Sequence, residues 1–331
     1  MESTKTAGLY IHVPFCKGKC PYCKFYSRKF PEYDETTARS FKQAVIRDVR
    51  DWSQRENLTF DTVFFGGGTP SLLFREAADI IAAAGRTYDC EITLEANPDD
   101  VTPQMLSTLR DGGVNRLSVG VQSLNDRTLA ALGRRHSAKQ AITAIEAADR
   151  AGFANISADI MLGVPGQTDS ELRETIAALK SLPLTHYSAY LFESDSAAPE
   201  DLMAELYLTA VELLPAQYEI SNWGKPCRHN LKYWNCEDYI GIGATAHSCY
   251  GGKRFAQNES GACYATDENP CSRDERVMLG LRLCVGIEAD DALLERAQGI
   301  PREYLRINGR NLSLTAKGFL ISNTIITTLL A

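Results

Sequence analysis

The 331-residue sequence lacks three features that define broad classes of protein. No apolar run approaches the length of a membrane-spanning helix, which is about 20 residues. The 35 lysines and arginines are outnumbered by 42 aspartates and glutamates and form no cluster, which argues against binding to nucleic acid or an anionic membrane surface. Residues 1–7 are polar and lack the apolar segment of a signal peptide, so we expect a cytoplasmic protein.

The sequence does contain short β-branched segments that alternate with longer amphipathic ones. Thr102-Pro103 predicts the start of one helix and Gly112 its end. Six βα units in series predict an α/β fold with a parallel sheet, either a partial (β/α)6 barrel of the TIM type, which we favour, or an open doubly wound sheet. In both, loops at the carboxyl ends of the strands build the active site. The predicted strands are 9–13, 62–65, 90–95, 116–121, 156–161 and 186–191, and helices include 36–50, 103–110, 138–151 and 170–182.

The alternation of strand-like and helix-like segments ends after residue 191. We expect residues 1–195 to form the core that carries the cofactors and residues 196–331 to form a smaller C-terminal region of α/β and helical structure. Helices are expected near 199–214 and 274–283, and a small helical or winged-helix-like unit at 290–330.

Three of the ten cysteines, Cys16, Cys20 and Cys23, lie within eight residues. In a reducing cytosol such a cluster indicates metal ligands rather than disulfides. Their C-x3-C-x2-C spacing suits a short loop that supplies three thiolates to a [4Fe–4S] cluster and leaves one iron open. The alternatives are a zinc site with a distant fourth ligand, or unligated thiols. The other seven cysteines form no tight pair in sequence, and we expect most of them to be buried small hydrophobic residues.

The cysteine loop and its lead-in, YIHVPFC at 10–16, resemble those of radical S-adenosylmethionine (SAM) proteins. More narrowly, the chain is similar from residue 9 to about 321 to the family of oxygen-independent coproporphyrinogen III oxidases and related haem chaperones. The resemblance implies that the open iron binds SAM and that its one-electron cleavage supplies radical chemistry. Matching segments are 66–70 (GGGTP), 95–98 (EANP), 118–122 (SVGVQ), 159–167 (DIMLGVPGQ), 229–234 (HNLKYW) and 241–243 (GIG).

The resemblance also implies which residues contact SAM. Glu95, at the end of the third predicted strand, is suited to accept the hydroxyl groups of a ribose. Several of these positions have a structural alternative: the glycines as a tight turn, Glu95 as a solvated strand end, Arg134 as a surface charge beside Arg135, and the two tyrosines as packing aromatic residues. The implied positions are Tyr10, Tyr22, Gly67, Gly68, Thr69 and Glu95, with Gln122, Arg134 and Asp159 for a second SAM.

Departures from the oxidase pattern favour the chaperone branch. Phe25 stands where the oxidase has a fourth cysteine, and the chain begins only eight residues before the first predicted strand, whereas the oxidase has an N-terminal extension. We therefore expect a protein that binds haem and delivers it to apo-haemoproteins, served by an electron donor such as flavodoxin or ferredoxin and meeting membranes transiently through its acceptors. The alternative is a radical SAM oxidoreductase, acting on coproporphyrinogen III or another substrate.

His229 and His247 are the candidate haem ligands, since haem iron is commonly held by His. Cys227 and two aromatic residues lie close to His229 in sequence. The alternative for His229 is a structural role, in which it ties the C-terminal region to the core. Segment 191–218 is also expected to be shorter than in the related proteins, in a loop over the mouth of the barrel.

Overall fold

A computed structural model describes residues 4–30, 32–267 and 269–331. Within these ranges one large sheet has the strand order β12-β11-β10-β9-β1-β2-β3-β4-β5-β6-β8-β7. Its strands are β1 (Lys5–Val13), β2 (Leu58–Gly67), β3 (Arg86–Ala96), β4 (Arg116–Gln122), β5 (Ile156–Leu162), β6 (His186–Leu191), β7 (Gln217–Glu219), β8 (Asn222–Gly224), β9 (Tyr239–Ile242), β10 (His247–Tyr250), β11 (Lys253–Gln257) and β12 (Cys263–Asp267).

The centre of the sheet is parallel. Each of the strands β1 to β5 pairs in parallel with the strand that follows it in sequence, and β9 pairs with the other side of β1 in the same direction. The predicted α/β fold with six successive βα units is confirmed, and the hydrogen-bonded ladder of the described strands is open at β12 and β7. The helices between these strands are α1 (Glu35–Glu56), α2 (Phe74–Ala83), α3 (Pro103–Asp111), α4 (Asp126–Ala131), α5 (Ala138–Arg150) and α6 (Asp169–Lys180).

Local sequence explains where these elements begin and what they bury. The Thr102 side chain accepts a hydrogen bond from the Met105 backbone N–H, which starts α3 at Pro103 as predicted. Strand residues such as Leu9 and Leu94 are fully buried between the sheet and the helices. Burial on both faces is typical of a parallel sheet, and it leaves the strand ends as the places where polar side chains collect.

The C-terminal part both extends this sheet and adds a small unit. Strands β7 to β12 pair along its two edges, so the sheet continues past residue 195 and the proposed division there stays a prediction. A second, antiparallel sheet has the order β13-β15-β14. The remaining elements are α7 (Glu200–Leu213), α8 (Arg228–Trp234), α9 (Arg273–Gly280), β13 (Ile287–Glu288), α10 (Asp291–Ala297), β14 (Leu305–Asn308), β15 (Asn311–Leu314), α11 (Ala316–Leu320) and α12 (Ser322–Leu330).

Three short pieces of structure shape the loops after β1, β2 and β3. Phe15–Cys16 pairs in parallel with Arg28–Lys29, so the segment between them forms a closed loop. Single 3-10 turns follow β2 at Pro70–Leu73 and β3 at Pro98–Asp100. Among the described helices, none has the length and apolarity that crossing a membrane requires.

Candidate functional site

A cavity of about 580 Å³ lies inside the curve of the parallel strands, a volume in the usual range for small-molecule sites. Its mouth is at the carboxyl ends of the strands, where the cysteine loop follows β1. Every residue that the sequence analysis assigned to the cluster or to SAM lines this cavity. The fold therefore brings together side chains that are up to 149 positions apart, from Tyr10 to Asp159.

The three cysteines lie in the loop that the Phe15–Cys16 pairing closes. Cys16, Cys20 and Cys23 are all partly exposed free thiols, and the backbone N–H of Cys23 donates to the carbonyl of Cys20 at 3.1 Å. Burial raises the pKa of Cys23, and the nearby Cys16 and Cys20 sulfurs raise it further. The described residues contain no group of three or more His, Cys, Asp or Glu side chains that converge on a single metal ion. A four-iron cube takes its thiolates on separate iron atoms, so it does not require such convergence.

A chain of hydrogen bonds connects two of these sulfurs through the loops after β2, β3 and β4. Thr69 Oγ1 donates to Cys16 Sγ at 3.5 Å and accepts from Asn97 Nδ2 at 3.2 Å. Arg134 Nη2 donates to Asn97 Oδ1 at 2.5 Å, and Arg134 Nη1 lies 3.7 Å from Cys20 Sγ. These hydrogen bonds attach the cysteine loop to the ends of the neighbouring strands.

The Gly66-Gly67-Gly68 run lets the end of β2 pack against the backbone of the cysteine loop. A Cβ on Gly67, whose φ is +105°, would lie 2.5 Å from the ring of His12, and one on Gly68 would lie 2.6 Å from the carbonyl oxygen of Phe15. The close approach allows the Gly68 N–H to donate to Val13 and the Thr69 N–H to donate to Phe15. Only glycine permits this contact at both positions.

Glu95 and Asp159 are two acidic residues that line the same cavity. Burial and, to a smaller extent, the charge of Asp159 raise the pKa of Glu95 to about 8, although the Gly67 backbone N–H donates to the carboxylate. Burial also raises the pKa of Asp159, against hydrogen bonds from Ser188 and Ser118 and the charge of Arg116. Both shifts disfavour charged carboxylates in the cavity until a bound group supplies hydrogen-bond donors or a positive charge.

Gln122 combines two unusual features at the end of β4. Its φ of 67° lies in the left-handed region, which is rare for a non-glycine residue, and the pairing of β4 with β5 shifts register there. Its buried Oε1 atom has no hydrogen-bond partner among the described residues. A buried amide oxygen without a donor favours a bound group that supplies one.

Arg134 and Arg135 have different surroundings. Arg134 is half-buried and its Nη2 also donates to the Gly120 carbonyl at 2.9 Å, whereas Arg135 is exposed and pairs with Asp99 at 2.6 Å. The structure therefore brings Arg134, and not Arg135, to the cysteine loop. The alternative of a surface charge fits Arg135.

The two tyrosines flank the cavity at different depths. Tyr10 stacks on Phe64 at 6.2 Å, donates from its hydroxyl towards His12 Nδ1 at 3.2 Å, and has its pKa raised by burial. Tyr22 lies in the cysteine loop against Phe192, with ring centroids 5.7 Å apart. Burial raises the pKa of Tyr22 to about 12 although Arg134 lowers it. Both rings thus wall the cavity as neutral phenols.

The two candidate haem ligands differ in accessibility. His229, on α8, is buried and lines the cavity, with Nδ1 2.7 Å from Thr62 Oγ1 and Nε2 2.8 Å from the Tyr233 hydroxyl. Burial lowers the pKa of His229 to about 3. Both ring nitrogens are engaged, an arrangement that favours the structural alternative. His247 is the one exposed histidine of the five, all of which are described, and it begins β10 after the turn that follows β9.

Several polar residues of the cavity were not expected from the sequence. Asn97 lies within the matching segment EANP, but only the structure connects it to Thr69 and Arg134. Arg116 opens β4 with a buried guanidinium whose Nε atom has no partner among the described residues. The sequence offered one signal for Arg116, a charged residue at the start of an otherwise apolar strand. Burying a charge costs free energy unless the charge is paired or binds a ligand, so such a residue is a candidate for a functional role.

Comparison with known proteins identifies the family. The model of the Radical SAM superfamily matches residues 10–179, just over half of the chain. Heme chaperone HemW of Bacillus subtilis is 34% identical over 321 residues and the match covers 84% of each chain. The chain belongs to the radical SAM superfamily and, within it, to the HemW family. A [4Fe–4S] cluster and SAM are the cofactors that this membership implies.

Further relatives agree with this placement. Heme chaperone HemW of Mycobacterium tuberculosis is 31% identical over 368 positions, which cover 98% of this chain and 94% of its own. Since that alignment is longer than the 331-residue chain, the relative has segments that this radical SAM protein lacks. Coproporphyrinogen III oxidase HemN of Escherichia coli, described as a radical SAM enzyme, superposes with a TM-score of 0.79 over 98% of this chain and 89% of its own, at 17% identity. That similarity supports the fold alone.

The raised pKa of Glu95 predicts how the stability of this radical SAM protein depends on pH. Between pH 4.5 and about 8 the folded state keeps a proton that the unfolded chain releases, so the free energy of unfolding falls as the pH rises through that window. Glu95→Gln removes this dependence. Measured by denaturant unfolding without SAM, the variant is expected to match the wild type near pH 4.5 and to exceed it near pH 8. The excess should be about 1.4 kcal/mol for each tenfold difference in proton affinity between the folded and unfolded carboxylate.

Glu174, an exposed acid on α6, provides the matched control. Glu174→Gln should show the same pH dependence as the wild type. If Glu95→Gln also follows the wild type throughout, the burial of charge at Glu95 is refuted.

Proposed function

We propose that this protein is a haem chaperone, which binds haem and delivers it to apo-haemoproteins with the help of a [4Fe–4S] cluster and SAM. The observation that carries the proposal is similarity along nearly the whole chain to proteins named heme chaperone HemW, at 31% to 34% identity. Acceptor apo-haemoproteins and a flavodoxin or ferredoxin as electron donor are its proposed partners. In this proposal residues 1–195 form the core that binds the cluster and SAM, and residues 196–331 form the C-terminal region.

Cys16, Cys20 and Cys23 are the proposed ligands of the cluster. Three thiols in one short loop suit a four-iron cube that keeps one iron open towards the cavity. Cys227, the other described cysteine that lines the cavity, is buried and donates to the Glu91 carboxylate. Phe25 stands at the loop position where the oxidases that this sequence resembles have a fourth cysteine. When bound, the cluster and SAM supply one-electron chemistry, while Thr69 and Arg134 hold the loop through their contacts with the sulfurs of Cys16 and Cys20.

The residues of the cavity suit SAM, which carries a cationic sulfonium, an amino group, a carboxylate and a ribose. Glu95 and Asp159 offer acceptors for hydroxyl and ammonium groups, and the unpaired Gln122 Oε1 offers another. Arg134 supplies a cation for a carboxylate. The proposed contacts with SAM are therefore Tyr10, Tyr22, Gly67, Gly68, Thr69, Glu95, Gln122, Arg134 and Asp159.

Exposed apolar side chains at the mouth support a flat apolar ligand there. Phe25 is 63% exposed, and Tyr190 and Leu191, which also line the cavity, are 43% and 39% exposed. A grouping of this kind on a water-exposed surface is typical of a binding site. Beside it Lys24, paired with Glu193 at 2.7 Å, is a cation in reach of a ligand carboxylate.

His247 is the preferred axial ligand for haem in this proposal. The turn before it lies at the carboxyl end of the sheet, because β9 runs parallel to β1 with Ile242 opposite Ile11. His247 is therefore exposed at the same end of the sheet as the cysteine loop. Iron binding at His229 would instead require it to give up its bond to Thr62 or to Tyr233.

Replacement of all three loop cysteines by alanine is expected to abolish the cluster. After anaerobic reconstitution with iron and sulfide, the wild type should hold about four irons per chain and the triple variant close to none. Cys263→Ala, which changes an exposed thiol on β12, is the control and should keep full iron content. A triple variant with an intact cluster spectrum would remove the basis of the proposed site.

Delivery of haem tests the function directly. The haem-loaded wild type, mixed with an apo-cytochrome, is expected to lose its haem spectrum as the cytochrome gains one, and it should release no carbon dioxide from coproporphyrinogen III under anaerobic, reducing conditions. His247→Ala should bind haem at least roughly tenfold more weakly because the iron loses its axial ligand, with cluster content unchanged.

The matched control is His136→Gln, since His136 is buried and bonded to the Val121 carbonyl at 3.0 Å. It should retain the affinity of the wild type. Unaltered haem binding in His247→Ala would refute the assignment of His247 as the axial ligand. Sustained release of carbon dioxide from coproporphyrinogen III would show that the protein is an oxidase and contradict the proposed chaperone function.

A further inference from the structure

Three of the seven cysteines outside the cluster loop meet at one place. Cys236 follows α8, Cys249 lies on β10 and Cys271 precedes α9, yet the sulfurs of Cys249 and Cys271 are 3.8 Å apart. Cys271 Sγ is also 3.8 Å from the carbonyl oxygen of Cys236. Two thiols in van der Waals contact need only small side-chain rotations to reach the length of a disulfide bond, about 2.05 Å.

This grouping corrects the expectation that most of the seven are inert buried residues. Of the seven, only Cys90, Cys227 and Cys249 are buried. The sequence does not indicate this pair, because Cys249 and Cys271 are 22 positions apart along the chain. The antiparallel strands β10 to β12 fold that segment back on itself and bring the two sulfurs together.

The backbone at two of the three thiols is in an uncommon conformation. Cys236 has φ 55° and Cys271 has φ 60°, in the left-handed region that favours glycine. A non-glycine residue is strained in this region because its Cβ approaches the backbone. Around Cys271 the conformation is held by neighbours on α9, since its N–H donates to the Glu275 carboxylate and its carbonyl accepts from Arg276 Nε at 2.9 Å. Residues kept in such conformations by their surroundings are concentrated at functional sites.

Burial differs between the two sulfurs in a way that sets the order of reaction. Cys271 is partly exposed, whereas Cys249 is buried beneath it, where burial and the neighbouring Cys271 raise its pKa to about 11. A reagent from solvent therefore meets Cys271 first. The group does not fit a bound metal, because the described residues contain no set of three or more ligating side chains around one ion.

We propose that Cys249 and Cys271 form a reversible disulfide by exchange with a low-molecular-weight disulfide such as glutathione disulfide. The Cys271 thiolate attacks one sulfur of the reagent, forms a mixed disulfide and releases one glutathione thiol. Cys249 then attacks Cys271 Sγ, closes the protein disulfide and releases the second. The two protein thiols lose two electrons and two protons, and glutathione disulfide gains both.

The bond would join the sheet to the segment that leads into α9. Arg254 on β11 already bridges these parts by its ion pair with Glu275 at 2.7 Å. Since no large movement is needed to close the bond, the oxidised protein is expected to keep its cluster and to melt at a higher temperature than the reduced protein.

The test incubates the cluster-loaded chain anaerobically in glutathione buffers of increasing oxidising strength, blocks the remaining thiols by alkylation, and maps disulfides by mass spectrometry after digestion. We expect a peptide pair joined through Cys249 and Cys271, reversed by excess reduced glutathione. Cys249→Ser and Cys271→Ser should each abolish it and the rise in melting temperature. Cys263→Ser, which changes an exposed thiol elsewhere on the sheet, and Cys236→Ser should not.

Two outcomes would overturn the proposal. In the first, Cys249 and Cys271 remain alkylated to the same extent as Cys263 across the whole range of buffers. In the second, the bond persists in Cys249→Ser as a link between Cys236 and Cys271, which would make Cys236 the native partner. Cluster content is measured in every sample, so loss of the cluster cannot imitate either result.

Discussion

Two backbone hydrogen bonds, from Gly68 to Val13 and from Thr69 to Phe15, are the contacts on which the site depends. They attach the cysteine loop to the end of the neighbouring strand, so the position of the thiols follows from the pairing of β1 with β2. The same turn places Thr69 against Cys16 and begins the chain of side chains that reaches Cys20 through Asn97 and Arg134. A side chain at Gly68 would push the loop away and loosen every one of these contacts, and one at Gly67 would collide with the ring of His12 on β1.

The interior of the cavity holds more charge than a folded chain usually tolerates without a partner. Glu95 and Asp159 oppose each other, Arg116 is buried beside them, and Gln122 is held in a strained conformation with an unpaired oxygen. Such groups lower stability in the ligand-free protein. They are well suited to a ligand that carries an amino group, a carboxylate and hydroxyl groups, and that is the chemistry of SAM.

Much of this arrangement was predictable from sequence because it depends on local pattern. The six central strands and the helix at Pro103–Asp111 lie where hydrophobic periodicity and the Thr102 cap predict them, and the cysteine spacing predicts one loop. Contacts between distant segments were not predictable. Asn97 was missed because its partners are 28 and 37 positions away, and Cys249 with Cys271 because three antiparallel strands bring them together. For the same reason, sequence alone did not distinguish the engaged His229 from the exposed His247.

The central claim is that the cysteine loop and the cavity form one site, in which SAM meets the open iron. The most direct test is the electron paramagnetic resonance signal of the reduced cluster during titration with SAM. We expect one SAM per chain to change the signal, and Glu95→Gln to weaken the affinity by about 1–3 kcal/mol with the cluster intact. A signal that stays the same at saturating SAM, or a Glu95→Gln variant with wild-type affinity, would contradict the account.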